Sequence, residues 1–353
     1  DFIRPGIRVI NQIEMGAALT GELDPPIKAL FVYNCNPMVT VPDQKAIARG
    51  LMRDDLFVVV SEQFQTDTAD YADILLPAST QLEQFELVYS WGQFFLGLSE
   101  PAIPPLAESI PNAEMFRRLA ATFGFNEPYF RRSDEEIAYD AIDWDHPALD
   151  GIDMDLLKRE GYARLNVGDP DTRLPHAEGN FPTPSGKCEF VSSRAAEGNL
   201  VLPRLRQGYE EGMPAGDVDP LPDYVPADVD DPRHPLILIS PKSHAFLNSC
   251  YGNLEVQQKA AGDPTALMHP VDAKARGISE GDRINVFNDL ATIEVGARIS
   301  EDTAPGIVVV PLGYWRKSDG VGIGVNALNP AALTDIGQGP ALTDTRVEVA
   351  AAN

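Results

Sequence analysis

The chain has 353 residues, with 53 acidic side chains against 28 basic ones and a formal net charge of −25. That length suffices for two or three domains with real cores, and the ordinary apolar content marks a globular chain. The charge argues against nucleic acid and anionic membrane surfaces as partners, and no apolar run approaches the length of a membrane span.

The first stretch alternates strand and helix. IKALFVYN (residues 27–34) reads as a buried strand that ends at the turn Asn34-Cys35-Asn36-Pro37. PDQKAIARGLMR follows as a helix, with Pro42 suited to its first turn. DLFVVVSE (residues 55–62) and ADILLPA (72–78) are two further strands. Continuous apolar strands separated by helices predict a parallel sheet covered on both faces, a Rossmann-like unit or part of one. Strand ends in such sheets are where ligands are held.

A mixed α+β region comes next. NAEMFRRLAATFGF opens on Asn112 as a capping residue and closes on Gly124, which predicts a helix. SDEEIAYDAI and MDLLKREGYA are further helix candidates, and KCEFV (187–191) reads as a strand. Residues 206–233 are rich in Pro, Gly and Asp, a linker composition that marks a domain boundary. Beyond it PLILISP, DRINVFN, ATIEVGARI and GIVVVPLG are strands, and HPVDAKARGI is a short helix from Pro270 to Gly277. So many short strands in so few residues suggest a small barrel. No internal repeat is visible.

Familiar catalytic motifs are missing. GVGIG (320–324) lacks the GxGxxG spacing, SGKC has Phe181 where a P-loop needs its leading Gly, and there is no GxSxG. His146, His176, His234, His244 and His269 show no HExxH spacing and read as surface or capping residues. Cys35, Cys188 and Cys250 are scattered without a CxxC, so they frame no zinc or iron–sulfur site. Their sparse, odd count suits a reducing compartment, which favours the cytoplasm. The start Asp1-Phe2-Ile3 lacks Met, so the absence of a targeting segment says little. What remains are loops rich in Asn, Ser, Thr and Gly directly after strands. Such loops offer amides and hydroxyls to a polar ligand carrying phosphates and heterocycles.

ALFVYNCNPMVTVPD, LFVVVSEQFQTDTADYADILLPASTQLEQ, FPTPSGKCEF and MHPVDAKARGISEGDRINVFN, in that order, closely resemble the C-terminal half of molybdopterin oxidoreductases of the dimethyl sulfoxide reductase family. The flavour is that of the cytoplasmic, biotin-sulfoxide-reductase-like or uncharacterised members. The resemblance implies a partial Rossmann-like dinucleotide-binding unit (1–100), a mixed segment (101–205), the linker (206–233) and a double-psi β-barrel domain (234–353). It implies bis(molybdopterin guanine dinucleotide) with Mo or W as ligand, a long anionic group that needs many neutral hydrogen-bonding partners.

Site residues follow from the same resemblance. Asn36 is either a dinucleotide contact or the cap of the turn before Pro37. Ser61 and Glu62 end the second strand, where the family places a guanosine contact; a helix N-terminal acid is the other reading of Glu62. Thr66 and Thr68 either bind or cap, with capping favoured. Asn112 is a cofactor contact or an N-cap. In the last domain, Ser240, Lys242, Ser243, His244 and Asn248 belong to the loop that wraps pterin and phosphates. Lys242 is the cation placed for a phosphate. Asn326 matches a pterin-contacting Asn, and Asn329 is a contact or a turn residue.

The family's N-terminal half has no counterpart here. That half carries the molybdenum ligand, much of the substrate funnel and, in some members, a [4Fe–4S] cluster. The chain therefore reads as part of a larger enzyme, inactive alone, whose partners are the N-terminal half or a second subunit, a small-molecule substrate and an electron-transfer protein. The full enzyme would carry out two-electron oxygen-atom transfer or dehydrogenation. A non-catalytic scaffold of the same architecture and a separate cofactor-binding subunit of a split enzyme are the alternatives.

Overall fold

The structure, a computed structural model, describes residues 7–352 apart from 22, 90, 170–173, 199–218, 225–230, 316, 318–323 and 335–337. In chain order the elements are α1 (Met15–Thr20), β1 (Ala29–Tyr33), α2 (Pro37–Thr40), α3 (Gln44–Leu51), β2 (Phe57–Glu62), β3 (Ile74–Pro77), β4 (Glu86–Tyr89) and β5 (Phe95–Ser99). There follow α4 (Asn112–Phe123), α5 (Asp134–Asp140), α6 (Met154–Glu160), β6 (Tyr162–Arg164), α7 (Ser193–Ala196) and β7 (Leu236–Ile239). The last are α8 (Glu255–Ala261), β8 (Thr265–Met268), α9 (Pro270–Ala275), β9 (Arg283–Phe287), β10 (Thr292–Ile299), β11 (Ile307–Val309) and β12 (Arg346–Ala351).

These elements form two compact units: Asp1–Val60, Gln65–Ile74 and Glu189–Asn353 in the first, Ser61–Phe64 and Leu75–Cys188 in the second. No described helix is long and apolar enough to cross a membrane.

The first unit holds β1 and most of β2, and β2 is central in the order β1-β2-β3. Val32, Val58 and Val60 are buried with Leu19 of α1 and Ile47 and Leu51 of α3. The two helices approach so closely that a Cβ on Gly50 would lie 2.4 Å from the Cβ of Leu19. Cover on both faces, expected from the strand composition, is not found: Phe31, Tyr33 and Phe57 are 38, 44 and 49% exposed. Helices α1 and α3 bury one set of alternating side chains, and the opposite set stays in contact with solvent. Helix α3 starts two residues later than Pro42 implied. Asp43, at φ +49°, caps it by accepting from Ala46 N at 3.2 Å.

The same unit contains a closed six-stranded barrel in the order β10-β8-β11-β7-β12-β9. Two parallel pairs, β10 with β8 and β11 with β7, are joined by antiparallel neighbours. That topology bears out the double-psi barrel. Its strands alternate inside and outside, and Leu236, Leu238, Met268, Ile284, Val286, Val308 and Val347 fill the interior. Each such side chain contributes roughly 1.5–3 kcal/mol by leaving water. His269 caps α9, its Nδ1 accepting from Val271 N, and Pro270 takes the first helical position as expected.

The second unit is an antiparallel β4-β5-β6 sheet on helices α5 and α6. Leu96 and Leu98 of β5 pack with Ala138 and the fully buried Leu157. Ser133 and Glu136 form a reciprocal capping box at α5, and Asp153 caps α6. Helix α4 ends at Gly124 (φ +76°) as expected, but its cap position is Pro111 and Asn112 is already helical. KCEFV is not a strand: the segment pairs with none among the described residues, and its Cys188, Glu189, Phe190 and Val191 are exposed. Most of the 206–233 linker, and GVGIG up to residue 323, lie outside the described residues.

Candidate functional site

Strand β1 ends at Tyr33, and the next residue, Asn34, adopts φ +52° on the way into α2. Asn36 occupies the cap position of that helix, yet its side chain makes no capping bond. It reaches Thr68 instead, where its Oδ1 serves as the acceptor. Met38 N–H can only donate, and it donates to Thr68 Oγ1 at 3.0 Å. The Thr68 hydroxyl, fully buried, gives its own proton to Asn36 Oδ1 at 2.7 Å. That leaves Asn36 Nδ2 buried and without a partner. A buried donor left unmet costs about 1–3 kcal/mol, which a ligand acceptor would offset.

Thr68 is therefore a tie between two loops, and its position before the short 3-10 turn Ala69–Tyr71 carries no side-chain cap. Thr66 does cap, its Oγ1 accepting from Ala69 N at 3.2 Å. Asp73 also acts on backbone, its Oδ2 accepting from Val58 N at 2.7 Å. The TDTADYAD block thus orders the segment after β2 mainly by bonding to the chain itself.

Barrel loops close on the Asn36 loop within the same unit. Asn326 Nδ2 donates to Val39 O at 2.8 Å, and its Oδ1 accepts from Asn329 Nδ2 at 2.9 Å. Thr345 Oγ1 donates to Asn329 Oδ1 at 2.7 Å, while Asn329 O accepts from Asp43 N at 3.1 Å. Both ends of each amide are committed, so Asn326 and Asn329 form a buried clasp holding the Asn36–Asp43 segment. Nearby, Lys317 Nζ reaches Thr66 O and Asp70. Gln44, which carried no expectation from sequence, is 2% exposed. Its Nε2 donates to Val39 O at 3.3 Å, and its Oε1 is buried without a partner. A polar residue in line with Ile47 and Leu51 on the buried stripe of α3 was the signal that could have exposed it.

The loop after β7 docks on the segment after β11. Lys242 bridges to Leu312, Leu312 N donates to Pro241 O, and Trp315 Nε1 donates to Ser249 O at 2.7 Å. Phe246 meets Tyr314 edge-on at 5.2 Å. Gly313, at φ +109°, permits this approach: a Cβ there would lie 2.3 Å from Asn248 O. Of the loop's candidates, Ser240 Oγ is buried without a partner, Ser243 Oγ accepts from Ala245 N, and Lys242, His244 and Asn248 are exposed.

Ser61, Glu62 and Asn112 fall in the second unit. Ser61 is buried, and burial pushes the half-buried Glu62 carboxyl above its ordinary range. Elsewhere in the first unit, Asp231, His234 and Asp289 bring potential metal-ligand atoms within 4.8 Å of one another. The Arg233 guanidinium already bonds both carboxylates, at 3.0 and 2.7 Å, so the cluster is an ion-paired tie. His234 is the histidine that departs from the surface or capping expectation, being 6% exposed.

Two family models match the two regions that the clasp joins. Residues 10–122 match molybdopterin oxidoreductase, and residues 236–346 match the molydopterin dinucleotide binding domain. The chain belongs to the molybdopterin oxidoreductases of the dimethyl sulfoxide reductase family. It is 35% identical over 343 residues to the probable oxidoreductase YoaE of Bacillus subtilis, covering 97% of this chain and 47% of that protein. It is 29% identical over 318 residues to the dimethyl sulfoxide reductase DmsA of Escherichia coli, covering 84% and 38%. The solved acetylene hydratase from Pelobacter acetylenicus shares the fold, with a TM-score of 0.73 and 24% identity over 97% of this chain and 46% of its own. The chain thus spans about half the length, or less, of the relatives it matches.

The side chains suit the cofactor class of this family. Asn36 Nδ2 and Ser240 Oγ are unmet buried donors for carbonyl or phosphate oxygens, and Gln44 Oε1 is an unmet acceptor for an N–H or O–H. Lys242 is exposed on the Ser240 loop, a cation of the kind a phosphate would need.

Proposed function

We propose that this chain is the C-terminal part of a molybdenum or tungsten oxidoreductase and holds bis(molybdopterin guanine dinucleotide). The carrying observation is the Asn36 amide, oriented by Thr68 so that a buried donor is left for a ligand. When bound, the cofactor supplies the metal centre for two-electron oxygen-atom transfer or dehydrogenation. The protein's share is binding and orientation. Asn36 and Ser240 donate to acceptor oxygens, and Lys242 neutralises a phosphate. The Asn326–Asn329–Thr345 clasp fixes the Asn36 loop against the barrel, so little ordering remains to be done on binding.

The reaction partners in this reading are an N-terminal half or a second subunit carrying the metal ligand, a small-molecule substrate and an electron-transfer protein. The isolated chain is expected to be metal-free and inactive. The test is elemental and nucleotide analysis of the complete protein purified from its natural source. About one molybdenum or tungsten and two guanine nucleotides per polypeptide are expected. A pure, folded protein holding neither would overturn the reading.

A further inference from the structure

We propose that Gln44 is a cofactor-reading residue whose Oε1 accepts a hydrogen bond from an N–H or O–H group of the pterin nucleotide. The inference rests on the cofactor reading above and assigns it a contact that neither motif nor periodicity had supplied.

The orientation of the amide comes first. Val39 O can only accept, so the end of Gln44 facing it at 3.3 Å is Nε2. The oxygen is therefore the free end, and it is buried. The surrounding polar groups are satisfied: Val39 O also accepts from Asn326, and Asn326 is met by Asn329, which is met in turn by Thr345. Among the described residues of this network, only Asn36 Nδ2 and Gln44 Oε1 lack partners, and the two residues flank the single turn of α2. One is a donor and the other an acceptor. A phosphate presents acceptors alone, whereas pterin and guanine edges and ribose hydroxyls also present donors. Gln44 thus faces a ring or sugar, and Asn36 faces an oxygen.

The second observation is Gly324, at the start of the clasp. A Cβ built there would lie 3.6 Å from Gln44 Nε2 and 4.0 Å from Oε1. The glycine has φ −75°, so nothing in its backbone conformation demands glycine. A Cβ there would sit in ordinary van der Waals contact with the Gln44 amide, so alanine adds one methyl directly against it.

The test uses the complete polypeptide, made both in a host that synthesises the cofactor and in one that does not. Without cofactor, Gln44→Met removes an unmet buried acceptor at similar volume, so its melting temperature should equal or exceed that of the wild type. With cofactor, released guanine nucleotide should fall, and the half-life of cofactor loss should shorten roughly tenfold. Gly324→Ala should melt like the wild type without cofactor, yet lose cofactor several-fold faster. Unchanged retention in both variants would mean that the amide meets only a buried water or protein, and would overturn the proposal. So would a Gln44→Met protein destabilised without cofactor but normal in retention. A wild type that holds no guanine nucleotide from either host removes the parent reading instead, so the two failures are distinguishable.

Discussion

The barrel and the β1–β3 sheet are written in the same kind of strand, short runs of Val, Leu, Ile and Phe, but they bury those runs differently. The barrel closes on itself, so Leu236, Leu238, Ile284 and Val286 are essentially inaccessible while their neighbours face outward. The sheet packs α1 and α3 on one face and leaves Phe31, Tyr33 and Phe57 exposed. Apolar composition therefore reports that a strand can be buried on both sides; whether it is depends on what the topology brings against it.

Substitutions at matched sites sharpen this contrast, with stability measured by urea unfolding of the complete polypeptide. The largest loss is expected at the barrel rim. Gly313→Ala forces a side chain into φ +109° and 2.3 Å from a backbone carbonyl, costing about 3 kcal/mol or more. Leu238→Ala opens a cavity in a fully buried position and should cost about 2–5 kcal/mol. An effect below about 1 kcal/mol would mean the barrel core is not closed as described.

Asn326→Ala comes next. It leaves Val39 O with a weaker donor and Asn329 Nδ2 with none, at about 1–3 kcal/mol. A normal stability there would show that the clasp does not hold the Asn36 loop. Phe57→Ala, on the exposed sheet face, should cost less than about 1 kcal/mol. A loss as large as that of Leu238→Ala would erase the distinction between the two regions.

Much of this contrast was legible in the strands themselves. PLILISP, DRINVFN, ATIEVGARI and GIVVVPLG each contain a barrel strand, and Pro270 and Gly277 bracket α9 as read. Strand β8 was missed because Thr-Ala-Leu-Met carries little β preference and owes its state to pairing with β10 and β11. Strand β12 was missable only by oversight of its period: Val347 and Val349 alternate with Arg346 and Glu348. KCEFV failed in the other direction, with strand composition but no ladder to join. At the site, the Asn-Pro turn could be read as polar and strand-terminal. The Thr68 tie could not, because its partners lie 30 and 32 residues away in sequence. The same holds for Asn326, whose amide meets Val39 across 287 residues.

The smallest expected effect concerns the Asp231 tie. Hydrogen bonds from His234 and then from the Arg233 backbone hold the Asp231 carboxyl down at about 2, against an ordinary 3.8. The lowered value means that ionised Asp231 favours the fold. Its contribution is fully present above pH 3.8 and disappears as the pH falls through about 2. Wild type and Asp231→Asn should therefore differ in melting temperature near neutrality and converge in that acid window. A difference independent of pH would remove the ionised carboxylate from the explanation.

The most direct test of the central claim is a crystal structure of the complete protein with its cofactor. The account predicts an acceptor atom of the pterin nucleotide within hydrogen-bonding distance of Asn36 Nδ2, with Thr68 still bonded to Asn36 Oδ1. A cofactor seated elsewhere, with Asn36 Nδ2 met only by protein or water, would contradict it.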